Sequence, residues 1–175
     1  MSRSPSKTEP KPGLVIRYGY LWRDEAKRGQ EEGVKDRPCA VVFATKREDD
    51  RSTVYVVPIT HTPPSKPEHA IEVPAATKKR LGLDHARSWV ITNELNMFTW
   101  PGYDLRPVGR PGDSRGFAYG VLPKVMTSDL IESVRERQRE GQLRAVNRDE
   151  RSKEQAKALK RLKTRGPSQD REPEG

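Results

Sequence analysis

The sequence predicts a mainly β domain with small helices, an α+β fold around one core with a C-terminal helix. Three observations lead there. Short runs of β-branched and aromatic residues recur between proline- and glycine-rich turns. Only the stretch from residue 127 to about 141 carries a well-capped amphipathic helical pattern. Apolar residues concentrate between residues 13 and 140, which leaves a leader (1–12) and a tail (141–175) poor in anything to bury.

Across 175 residues, 32% are hydrophobic and 34% charged, and the mean hydropathy is −0.94. A chain this polar cannot pack every residue around one core. Its single cysteine, Cys39, has no partner for a disulfide or a Cys-based metal site, so apolar packing must hold the fold. No apolar run is long enough to span a bilayer and the N-terminus lacks a signal stretch, so the expectation is a cytoplasmic protein that makes no use of a membrane.

The elements follow in order. Leu14, Ile16, Tyr18, Tyr20 and Trp22 share one parity, which predicts a first strand over residues 14–22. Residues 24–36 are polar and hold Gly29 and Gly33, so they read as a long exposed loop. Residues 38–44 and 53–60 are apolar runs joined by a charged turn, a central hairpin buried on both faces. Pro67 and Pro74 bracket a short edge strand at residues 70–73, and Pro74 opens a short helix reaching residue 83. Residues 87–100 hold a strand or bent strand pair, residues 107–116 a turn, and residues 117–122 a last short strand. Thr127, Ser128 and Asp129 offer cap side chains, with Asp129 and Glu132 at capping-box spacing. Beyond Gly141 the composition favours helix through residue 165 and disorder in the last ten residues.

The formal net charge of +9 and pI of about 9.8 favour anionic partners. Yet the tail holds ten Lys/Arg against six Asp/Glu and the leader three against one, so most of that charge lies outside the core. Nucleotide-binding glycine loops, zinc-protease helices and nucleophile elbows are all absent, and the three histidines are spaced unlike metal ligands and lack nearby acid pairs. Two residues remain of interest. Arg37, ahead of the rigid Pro38, stands where the first buried strand begins, and its planar fork suits a phosphate. Thr60 ends the next strand, so antiparallel pairing brings the two to one rim of the sheet.

With Gly13-Leu14-Val15, Gly33 followed by Lys35-Asp36-Arg37-Pro38 and Ala40-Val41-Val42, and then Val56-Val57-Pro58-Ile59-Thr60, the sequence resembles the MazF/PemK family of toxin ribonucleases. The likeness extends more loosely through Ser88-Trp89-Val90 and Glu94-Leu95 to the final helix, covering residues 13–140. It implies an SH3-like, partly open β-barrel that forms a homodimer, binds single-stranded RNA in a groove and is held by a cognate antitoxin protein. It implies, too, a metal-independent endoribonuclease without cofactor, in which the RNA 2′-hydroxyl attacks its own phosphodiester and Arg37 and Thr60 are the catalytic pair. Further substrate contacts would come from Trp22 by stacking, from Lys27, Arg28 and Lys35 to phosphates, from His61 beside Thr60, and from Glu94 on the groove wall. The chain departs from the family in three places: a longer and more acidic loop, Asn96 where an arginine is often found, and the charged tail. The competing expectation is a non-catalytic toxin-like or RNA-binding module on the same barrel.

Overall fold

A computed structural model describes residues 9–30, 33 and 35–149 of the protein. Eight strands and three helices follow in the order β1 (Leu14–Tyr18), α1 (Arg23–Lys27), β2 (Arg37–Lys46), β3 (Ser52–Thr60), β4 (Ala70–Glu72), α2 (Ala75–Leu81), β5 (Trp89–Ile91), β6 (Glu94–Trp100), β7 (Ala118–Val121), α3 (Lys124–Arg139) and β8 (Arg144–Asn147). The mainly β, α+β expectation therefore stands. The strands run β4-β5-β3-β2-β1-β7, with β6 on β3 and β8 on β6. The sheet does not close, since β4 and β7 end the path without pairing to one another.

The β2–β3 hairpin is the spine, and it is buried on both faces as its unbroken apolar runs require. Ala40, Val42, Val57 and Ile59 face one core layer, which Leu122, Met126, Leu130 and Val134 complete. Cys39, Val41, Val54 and Val56 face a second layer with Tyr18, Tyr20, Phe98 and Trp100. Between Val41 and Phe43 the register slips by one residue. This bulge keeps Phe43 on the first layer and Ala44 on the second, where strict alternation would exchange them.

Several expectations are corrected. The first strand ends at Tyr18 instead of running to Trp22, because the chain leaves the sheet and Trp22 becomes the N-cap of α1. It is also buried on both faces, with Val15 in the first layer and Leu14 and Ile16 in the second. The presumed loop opens with α1, whose Ala26 is buried with Leu21 and Val146. Helix α3 takes Pro123 as its N-cap, four residues ahead of the expected Thr127 cap, and Thr127 Oγ1 donates back to the Pro123 carbonyl at 3.0 Å. The Asp129–Glu132 pair thus lies inside the helix and caps nothing.

Residues 144–147 of the expected helical tail form a strand, and residues 148 and 149 after it are helical. Gly141 adopts φ +70°, a conformation that favours glycine, and turns the chain off α3. Residues 144–147 then pair parallel with β6. Residues 1–8 of the leader and 150–175 of the tail lie outside the described residues. Among the described residues, no helix is long and apolar enough to cross a membrane.

Candidate functional site

Hairpin register builds the site. β2 and β3 pair antiparallel with Cys39 opposite Pro58, so the start of one strand and the end of the other share one rim. Arg37 is also paired with Tyr18 of β1, and Thr60 with Trp89 of β5, which fixes both residues from outside the hairpin. Both line a single open cleft of about 510 Å3. Trp22, Lys35, His61 and Tyr119 line it as well, and the loop after α2 supplies Leu83, Asp84 and Ser88.

Trp22 supports Arg37, with the guanidinium carbon 5.1 Å from the ring centroid. The Trp22 ring is itself set edge-on against Tyr20, with centroids 5.2 Å apart. Asp36, the acidic neighbour in sequence, turns away toward Arg17 at 3.7 Å and Arg106 at 3.6 Å. Among the described residues no carboxylate pairs with Arg37, and its buried Nε has no hydrogen-bond partner. With no carboxylate partner among the described residues, the Arg37 charge is left for an anion in the cleft that it lines.

Thr60 Oγ1 accepts the Thr62 amide at 3.2 Å. A hydroxyl that accepts from the backbone still has its own hydrogen to donate.

The α2–β5 loop contributes a charged chain that crosses the cleft wall. Lys78 on α2 is 5% exposed, and its ammonium donates to Asp84 Oδ1 at 2.7 Å, to Ser88 Oγ at 2.7 Å and to the Ala86 carbonyl. Asp84 presents its other oxygen, Oδ2, to His61 Nε2 at 2.8 Å. The turn that delivers Asp84 depends on Gly82, which caps α2 in the left-handed region at φ +74° while the Leu83 amide donates to the Lys78 carbonyl. The Lys78 ammonium holds the Asp84 carboxyl below its ordinary range, and burial pushes the Tyr119 phenol up. Asp84 therefore stays ionised and Tyr119 stays neutral around pH 7.

Of the residues expected at the site, the cleft brings together Arg37, Thr60, Trp22, Lys35 and His61. Lys27 and Arg28 are exposed at the end of α1, off the cleft lining. Glu94 is off this cleft as well; its Oε2 accepts the Tyr20 hydroxyl and the Arg23 amide, both at 3.0 Å, and ties the β1–α1 corner to β6. Asn96 is fully buried and exchanges two bonds with the Leu21 backbone at 2.9 and 2.8 Å, so an arginine could not take its place unchanged. Sequence reading missed Lys78, Asp84 and Ser88. His61 has no acidic residue near it in sequence, and the one that meets it arrives from 23 positions away. The available signal was Gly82 ahead of Asp84, a turn that returns the chain to the rim.

The chain matches no family model, and no curated protein matches it.

Proposed function

We propose that the protein is a metal-independent endoribonuclease that cuts single-stranded RNA through attack by the 2′-hydroxyl on the adjacent phosphodiester. It would act as the toxin of a toxin–antitoxin pair of the MazF/PemK kind. The observation that carries the reading is the cleft that Arg37, braced on Trp22 and without a carboxylate partner among the described residues, lines together with Thr60. The unclosed sheet with a hairpin spine and a C-terminal helix fits the SH3-like, partly open barrel of that family. A homodimer and a cognate antitoxin belong to the same reading.

The chemistry asks little of the protein. The nucleophile is already part of the substrate, so catalysis rests on holding the phosphate and stabilising the charge that grows on its non-bridging oxygens. Arg37 supplies a planar double donor and a full positive charge, and Thr60 a single donor that orients the group. The 2′-oxygen–phosphorus bond forms as the bond to the 5′-oxygen breaks, leaving a 2′,3′-cyclic phosphate and a 5′-hydroxyl. Loss of one such donor costs about 3 to 4 kcal/mol at the transition state.

The test is cleavage of a diverse pool of single-stranded RNAs in EDTA by the purified protein and by Arg37→Ala and Thr60→Ala. Cutting is expected to survive EDTA, to stop at a 2′-deoxy substitution of the cleaved position, and to fall by about a hundred- to a thousandfold in either variant. Intact RNA across the pool, or variants that cut as well as the parent, would sink the enzyme reading in favour of a binding module.

A further inference from the structure

Phosphate binding by Arg37 and Thr60 leaves open which group takes the proton from the attacking hydroxyl. Neither is suited to it, because the guanidinium stays protonated throughout the working pH range and a threonine hydroxyl is a poor base. His61 follows Thr60 directly and lines the same cleft. Its Nε2 lies 2.8 Å from Asp84 Oδ2. An ionised carboxylate only accepts, so Nε2 carries the hydrogen, and Nδ1 is then the basic nitrogen of the neutral ring.

What distinguishes this pair from an ordinary surface contact is its backing. His61 and Asp84 are each 56% exposed, and an isolated exposed pair of that kind would be loosely held. Asp84, however, is fixed through its second oxygen by Lys78, which is buried and has two further acceptors in Ser88 Oγ and the Ala86 carbonyl. A buried ammonium has no other way to satisfy its charge, so Asp84 is held where it meets His61. Such a carboxylate sets the tautomer of an imidazole and its direction.

Resting on the ribonuclease reading, we propose that His61 is the general base of the reaction, with Asp84 as the residue that positions it and Lys78 as the anchor of Asp84. His61 Nδ1 takes the proton of the 2′-hydroxyl as the 2′-oxygen–phosphorus bond forms. The departing 5′-oxygen takes a proton from solvent, and His61 gives its own to solvent before the next turnover. The charged and titratable groups that share the cleft with His61 are Asp84, held by Lys78, with Lys35, Asp36 and Arg37 and, on β7, Tyr119. A protonated ring cannot take the proton, so cleavage must fall in acid.

The experiment is a pH–rate profile of single-turnover RNA cleavage for the parent, His61→Gln and Asp84→Asn, with Arg37→Ala as a control and RNA binding measured in parallel. His61→Gln is expected to lose about a hundred- to ten-thousandfold in rate, and with it the acid limb, while still binding RNA. Asp84→Asn removes the carboxylate that sets the ring's tautomer and direction, so its plateau rate should fall while RNA binding is kept. If His61→Gln keeps the parental rate and acid limb while Arg37→Ala is inactive, the base assignment is wrong and the cleavage reading stands. A parent that cuts no RNA overturns both.

Discussion

Glu94 and Arg37 are charges at the starts of strands, and their surroundings give them opposite uses. Arg37 opens onto a cleft, whereas Glu94 turns inward and satisfies the Tyr20 hydroxyl and the Arg23 amide. Burial raises the Glu94 carboxyl above its ordinary range, and the two hydrogen bonds only partly offset this. The native state then holds the Glu94 proton to higher pH than the unfolded chain does. Stability from this residue is fully present below the unfolded carboxyl range and is lost as pH rises through the raised native value. Asp84 and Asp113, both lowered by their cationic partners, carry the reverse dependence, so the Glu94 contribution must be read as a difference. Glu94→Gln keeps an acceptor oxygen for both donors and removes the charge. Its thermal midpoint is expected to exceed that of the parent at pH 7, with the gap closing toward pH 4; a gap that widens as pH falls would contradict the argument.

At the scale of elements, β8 makes the sharpest case. Nothing local marks residues 144–147 as a strand, because their partner, β6, lies about fifty positions earlier and offers an edge that only the folded sheet exposes. What holds β8 down is Val146, packed on Leu21 and Ala26, and Arg148 just past the strand. Arg148 is 4% exposed, donates to the Gly19 carbonyl at 2.8 Å and the Asn96 side chain at 3.2 Å, and pairs with Asp104 at 2.8 Å. Arg148→Ala removes these bonds while Asp104 keeps Arg106 at 3.8 Å, so it should cost about 1.5 to 3 kcal/mol, measured by urea unfolding. A chain ended after Gly141 should melt well below one ended after Asp149. By contrast, the β2–β3 hairpin was legible because its pairing is local, and Arg37 and Thr60 came with it. Asp84 did not, since its place depends on the Gly82 turn and on the buried Lys78, neither of which has a periodic signature. The start of α3 was misplaced for a similar reason: Pro123 sets it by backbone geometry, with no capping side chain to advertise it.

On the scale of the whole molecule, the distribution of charge separates two jobs that a single pI conflates. The catalytic reading draws on a few cations in the cleft, Arg37 and Lys35, because Lys78 is already committed to Asp84. Residues 150–175, outside the described part, carry eight Lys/Arg against five Asp/Glu, a reserve of positive charge attached just beyond β8. Contacts between cations and RNA phosphates release condensed counterions, and for single strands each contact adds about 0.7 to the slope of log affinity against log salt. A chain ended after Asp149 retains every residue of the cleft and the Arg148 lock. Its affinity for single-stranded RNA at low salt should fall and its salt slope should become shallower, while the cleavage rate at saturating RNA stays at the parental value. Filter binding across a salt series, with single-turnover cleavage alongside, separates the outcomes. An unchanged slope would assign phosphate binding to the core alone, and a lost saturating rate would mean that the segment reaches the chemistry itself.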